Sequence, residues 1–458
     1  MAAFPRRRPL PALLLAAVAL VTLVLLAAAL AIAYAAYRPR LDAYADTDRF
    51  REKIAEETGR GLKVEGSYGP ITHEAGGWTA ATPSWTSHGR PGEAIERLDA
   101  ETITARFDPW GVLRRRWQID LITIERAELK LRRPDAAQKV PLPVHPKPWY
   151  GFVLPQRMYL KLVDAKETDI LWDFRGREAG IKKIHLWVTP YGKKDWRFQG
   201  TEGALDFLPD IPAARVVTMS LIVTKPTLTM ESAEIAPPDS ADPGRIVLHG
   251  TAGLQPDDPS LDAQATIDRM PLTPWLAPAW AERVSGRLGG GLAWKGPDMK
   301  LGQAKGSGTL RLDDGALRKL AALDQLAVLS GDKTFQSLDF NPASLSWEWN
   351  AGVLDVRDIQ VEAPGKVRAE GGLHADHGAL SGTVRLGLKP TAVAWLPPKG
   401  RGLFAAQAGS PYVWATVTLS GTLQKPEEDL GPKLKAAILS SPGTMLKMMG
   451  REIGSWFD

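Results

Sequence analysis

The chain has 458 residues, with 24% charged and 44% hydrophobic, which excludes wholesale disorder and allows two or three domains or one long repetitive one. Lys and Arg number 57 against 52 Asp and Glu, a net charge of +5, too small over this length to argue for nucleic-acid binding. No cysteine is present, which removes disulfides, thiolate metal sites and Cys nucleophiles, while 43 Gly and 36 Pro point to many turns and short elements.

Arg6, Arg7 and Arg8 precede an uncharged run whose core is Leu13 to Ala33. At about 1.5 Å per residue this run is long enough for the roughly 30 Å hydrocarbon layer. It exceeds the apolar region of a signal peptide, so Ala33-Tyr34-Ala35 is read as part of an uncleaved anchor, not a cleavage site. The cluster of arginines before it places the N-terminus in the cytoplasm and the bulk of the chain outside. Residues 1–37 are thus expected to be a cytoplasmic N-terminus with a single-pass anchor.

A helix is expected from Asp46 to Thr58, ended by Gly59. Beyond it the dominant signal is a period of two. It runs through Ile103, Ala105, Phe107; Ile184, Leu186, Val188; Val217, Met219, Leu221, Val223; and Leu261, Ala263, Ala265, Ile267. It continues through Leu345, Trp347, Trp349; Val384, Leu386, Leu388; and Val413, Ala415, Val417, Leu419. Each such strand has one apolar and one polar face, and the short Gly-, Asn- and Asp-containing links imply antiparallel hairpins. Residues 38–134, 135–250 and 251–426 form successive β regions, the second opening on six prolines between Pro134 and Pro155, and 427–458 is a helical tail. Further helical patterns cover Pro274–Val284, Ala316–Leu329, Leu434–Leu439 and Thr444–Phe457. Glu427-Glu428-Asp429 reads as the acidic first turn of a helix. A sheet with one apolar face must bury it. Helices are too few to cover these strands, which leaves sandwiches or a long sheet with an apolar trough. Pattern alone favours sandwiches.

The chain resembles the AsmA-like proteins of double-membraned bacterial envelopes. The likeness is carried by Thr58-Gly59-Arg60-Gly61-Leu62-Lys63-Val64-Glu65-Gly66 after the anchor, and by Leu98 to Asp108 leading to Ile119–Ile124. In the C-terminal half it is carried by Gly308–Leu317, Leu345–Asn350, Gly371-Gly372-Leu373 and Val417–Pro426. The resemblance implies a mainly β fold: an N-terminal transmembrane helix followed by a long curved antiparallel β-sheet groove with a few short helices. It implies an inner-membrane, single-pass, periplasmic protein that is no enzyme and that binds or transfers lipid through the groove in envelope maintenance. The alternative is a scaffold for outer-membrane or cell-wall assembly that moves no lipid. The lipid-groove candidates are Leu345, Trp347, Trp349, Val384, Leu386, Leu388, Val413, Val417 and Leu419.

No catalytic, cofactor or metal set is assigned. Gly291 to Gly296 has the glycine spacing of a phosphate loop, but Pro297 and Asp298 stand where Lys and Ser or Thr are needed. Gly289-Gly290-Gly291 marks a close backbone approach instead. His374, Asp376 and His377 read as solvated turn residues with no third metal ligand. The 16 tryptophans serve packing, or line a lipid groove. Arg114-Arg115-Arg116 reads as a solvated edge or a phospholipid contact. The expected partners are the membrane, phospholipid or another lipid and, through the C-terminal tail, an envelope protein. Nucleic acid is not among them.

Overall fold

The computed structural model describes residues 47–440 apart from interior stretches, the longest being 139–156, 109–115, 207–212 and 254–259. The expected anchor, the tail helix 444–457 and nearly all of the Pro-rich stretch lie outside the described residues.

Helix α1 (Asp48–Leu62) opens with Thr47, whose hydroxyl accepts the Phe50 N–H at 3.3 Å. It runs past the expected stop at Gly59 and ends where Lys63 turns left-handed at φ 60°. Gly59 serves a different need. A Cβ there would lie 2.6 Å from the Val64 carbonyl, so the absent side chain lets the next strand pack on the helix.

The strands follow in order: β1 (Val64–Tyr68), β2 (Thr72–His73), β3 (Thr79–Gly89), β4 (Ile95–Asp108), β5 (Arg116–Leu131), β6 (Arg157–Leu160), β7 (Val163–Phe174), β8 (Arg177–Pro190), β9 (Trp196–Asp206), β10 (Ala214–Val223) and β11 (Thr227–Ala236). Then come β12 (Arg245–Gly253), β13 (Ser260–Pro271), β14 (Val284–Gly296), β15 (Lys305–Arg318), β16 (Ser337–Phe340), β17 (Ala343–Asn350), β18 (Val353–Ala363), β19 (Val367–Asp376) and β20 (Ala379–Leu388). Helices α2 (Pro390–Val393) and α3 (Pro398–Arg401) precede β21 (Ala405–Ala406), β22 (Val413–Gly421) and β23 (Pro426–Glu428), and α4 (Leu430–Leu439) follows.

All of these strands belong to one 23-stranded sheet. From β7 onward, strands that are neighbours in sequence are almost everywhere neighbours in the ladder. Each buried cluster draws only on neighbouring strands and the short segments beside them: one on α1 and β1 to β5, one on β5 to β12, one on β15 to α4. No described pair of separate sheets stacks face to face, so the sandwich expected from pattern alone does not form.

The sheet is mixed, not purely antiparallel. The chain leaves β5 at Leu131 and re-enters beside its first residue, with Arg116 paired to Arg157, so β6 and β7 both run parallel to β5. Parallel neighbours need a long crossover instead of a hairpin turn. The chain between them is the proline-rich stretch, whose missing N–H groups suit it poorly to the ladder.

Two helix expectations hold only in part. Ala316, Leu317 and Arg318 extend β15 and pair with β16, Leu317 opposite Leu338, whereas Leu323, Asp324, Ala327 and Val328 are helical. Between Pro274 and Val284 the described residues hold the end of a 3-10 turn, Thr273–Trp275, and the helical Ala281 before β14 begins. The acidic residues 427–429 precede α4 instead of forming its first turn. Glu428 belongs to β23, and its carboxylate accepts the Gly431 N–H at 2.8 Å.

Candidate functional site

The ladder register turns the strand alternation into a continuous surface. One cross-strand rung reads Ile103, Ile124, Ala165, Leu186, Gly200, Met219, Ala233, Leu248, Ala265, Leu292, Gly308, Trp347, Val356, Leu373, Gly382, Leu419. The neighbouring rung reads Ala105, Ile122, Val163, Val188, Phe198, Leu221, Met230, Gly250, Ala263, Trp294, Gly306, Trp349, Leu354, Ala375, Leu380. From β4 to the last strands, neither rung contains a polar side chain. Most of the second rung is half-buried, and the first is half-buried from Leu248 onward with few exceptions, whereas the alternating residues between them are mostly exposed. A residue-wide line of apolar groups therefore stays sheltered yet uncovered.

Register is kept across so many strands by paired slips. At Ala100 and Ile103, Ile181 and Ile184, Gly200 and Gly203, Val216 and Met219, Ile267 and Met270, and Val356 and Ile359, the face-sharing residues are three apart, not two. At four of the six a doublet is pushed out to solvent, Glu101-Thr102, Lys182-Lys183, Asp268-Arg269 and Arg357-Asp358, each with its second residue left-handed. The slip in β10 corrects one expectation. Val216, 3% exposed, shares the face with Met219, and Val217 does not. Two adjacent polar residues inside an alternating run are the sequence signal for these bulges except in β10, where Val217 is apolar.

The tryptophans sit against glycines. Trp294 and Trp349 both lie opposite Gly306, where a Cβ would stand 2.5 Å from the Trp294 ring, and a Cβ on Gly308 would stand 2.9 Å from Trp347 Nε1. Gly290, at φ 144°, admits no side chain because a Cβ would collide with the Thr309 carbonyl, so the glycine triplet is a close approach, as its sequence suggested.

The nine groove candidates fall on this one face but in two environments. Leu388 is buried in the C-terminal cluster, with Leu386, Val413 and Val417 packed against it. Leu345, Trp347, Trp349, Val384 and Leu419 are half-buried and outside every buried cluster. The cover over the first group is built from Phe335, Ala392, Val393, Leu396, Phe404 and Leu430, from the segments around α2, α3 and α4. Tyr412 ties this cover to the sheet. Its buried hydroxyl donates to Glu362 at 2.9 Å and accepts the Gly365 N–H at 3.0 Å, and burial raises its pKa. Asp429 docks α4. It accepts from the Thr418 N–H at 2.8 Å and from Lys433 at 2.6 Å, and these donors hold its carboxyl at about 2. Sequence reading missed the apolar line through β5 to β14, though part of its alternation was visible at Ile184–Val188 and Leu261–Ile267.

The opposite face is polar and laced with cross-strand ion pairs, such as Arg197–Glu231 at 3.0 Å and Arg357–Glu348 at 3.3 Å. Arg287 grips Asp242 through both carboxylate oxygens, at 3.0 and 3.1 Å, and keeps that carboxyl below its ordinary range. His374 bonds Asp355 at 2.7 Å on the next strand, and His377 bonds Asp376 in the turn at 2.5 Å. Among the described residues no cluster of three or more His, Asp or Glu is arranged to hold a metal, and no helix is long and apolar enough to cross a membrane. Arg114 and Arg115 lie outside the described residues. No protein family, curated protein or solved structure gives a match to this chain.

Proposed function

We propose that this is a membrane-anchored, periplasmic AsmA-like protein that holds the acyl chains of lipid along an apolar trough and serves envelope maintenance. The observation that carries the reading is the pair of neighbouring all-apolar rungs, half-buried apart from Gly306 and outside every buried cluster from β13 to β17. A monomer that leaves so long an apolar line without a cover exposes a binding surface. Bulges bend the strands that carry them. Slips repeated from β4 to β18 crease the sheet along one line, so the apolar face curves into a trough. The floor is smooth because large side chains lie over glycines. The anchor at Leu13 to Ala33 places the trough outside the cytoplasm, next to its lipid source. No chemical step is assigned to the protein.

The test uses the full-length chain with two substitutions. Leu386→Asp puts a charge under the C-terminal cover and is expected to unfold that end, since an unpaired buried charge costs several kcal/mol. Trp347→Asp puts one on the open floor, where the carboxylate reaches water. It is expected to keep its thermal unfolding profile and to lose bound lipid in native mass spectrometry, because chains lose contact area worth about 25 cal/mol per Å². A wild-type chain that carries no lipid would favour the scaffold reading. Unfolding by Trp347→Asp would mean that the floor is core.

A further inference from the structure

The C-terminal cover ends part-way along the strands it shields. On β17, Ala343 packs against the covered cluster, and Leu345, the next residue on that face, does not. On β20, Leu386 packs against it and Val384 does not. The floor beyond, at Leu292, Leu310, Leu345 and Trp347, is half-buried and belongs to no buried cluster. It is continuous with a surface that short helices of this chain already cover. The last of those helices, α4, ends at Leu439, which is 52% exposed although Ala437 is buried. Residues 441–458 follow. Pro442 disfavours helical backbone at Ser441, and Gly443 permits a sharp turn. Beyond it Met445, Met449, Ile453 and Trp456 recur at helical spacing on one face, with Lys447 and Arg451 on the opposite one. Gly450 and Gly454 weaken such a helix in isolation, so it needs a surface to form against. Residues 444–457 would make a helix about 21 Å long. The strands β13, β14, β15 and β17, side by side at about 4.8 Å, are roughly 15–20 Å across.

We propose that the segment Thr444–Phe457 folds back from α4 as a helix and lies with its apolar face on the open floor at Leu345 and Trp347, a plug that acyl chains must displace. The inference rests on the trough reading and adds a regulation of it: the chain's own tail competes with lipid for one apolar surface. Its basic face points away from the floor and stays wet. A plug in place for three quarters of the time lowers the apparent affinity for lipid about fourfold.

The experiment offers the full-length chain phosphatidylglycerol below saturation and counts bound lipid by native mass spectrometry. The tail variant Met449→Asp, Ile453→Asp should carry about three to four times as much lipid as the wild type, with the same thermal unfolding profile. A second arm places one cysteine on the floor and one on the tail, Leu345→Cys with Met449→Cys. Mild oxidation should join them within one chain, and saturating lipid should lower the yield. Equal lipid in wild type and tail variant, or no cross-link, would overturn the plug while leaving the trough standing. A cross-link formed only between chains would assign the floor to a second copy and overturn the plug. Unfolding of the tail variant would make the tail a part of the core and overturn the competition. No lipid on either protein, with or without the cross-link, would overturn the trough itself and this inference with it.

Discussion

Thr102 stands at φ 53° in the middle of β4, with its side chain in solvent. A β-branched residue in the left-handed region is strained, at roughly 1–2 kcal/mol for an L-residue. It is tolerated because the left-handed residue leaves Ala100 and Ile103, three apart, opposite Ala127 and Ile124 with the register unbroken. Lys183, Glu202, Arg269 and Asp358 do the same in their strands at φ between 48° and 65°. Glycine would remove the strain but add unfolded-state entropy worth roughly 0.5–1 kcal/mol. Thr102→Gly should therefore raise stability by up to about 1 kcal/mol in denaturant unfolding, and Thr102→Val should not. A clear loss of stability in the glycine variant would mean that the Thr102 side chain has a partner in solution.

At the scale of elements, α4 is held to β22 by a carboxylate whose ordinary pKa of 3.8 falls to about 2 in the folded chain. A depressed carboxyl favours the docked state while ionised. Its contribution is present above about pH 4 and is lost as pH falls from there through 2. Hydrogen exchange across 430–439, corrected for intrinsic rates, should rise over that window, and Asp429→Asn should be fast already at pH 6. Protection that stays flat from pH 5 to 2 in the wild type would refute the clamp. The helix itself was legible in its second half, because Leu434–Leu439 carries the pattern, but its start was not. The capping carboxylates sit in β23 and its edge, where contacts to β22 decide the conformation. The same limit explains Ala316–Leu329. An Ala- and Leu-rich run reads as helix until a partner strand 20 residues away, Ser337–Phe340, claims its first residues. Alternation exposed β4, β8, β10, β13, β17, β20 and β22, because its cause is local: one face wet, one dry. The parallel pairing of β5 with β7 left no trace, because direction is set by where a linker returns, not by the strand's own residues.

For the whole molecule the decisive question is whether the strands stack in one line or fold back. Both margins of the sheet are blunted. β1 packs against α1 through Val64, and the outer edge of β22 is met by β21 near Trp414, by β23 at Leu419 to Gly421 and by the Asp429 carboxylate at Thr418. Exposed strand edges invite pairing between chains, so edges closed in this way favour a chain that extends without polymerising. The native sequence has no cysteine, so two introduced cysteines report alone. Gln199 in β9 and Thr383 in β20 are exposed on the polar face. Strands stacked in ladder order at about 4.8 Å put these positions roughly 40–50 Å apart, allowing for twist. A sheet folded onto itself, with faces about 10 Å apart, would bring them within roughly 25 Å. Spin labels at Gln199→Cys and Thr383→Cys, measured by pulsed electron resonance, separate the two cases. A distribution centred near the shorter distance would mean that the apolar rungs face each other as a closed core, and a trough open to lipid would no longer be tenable.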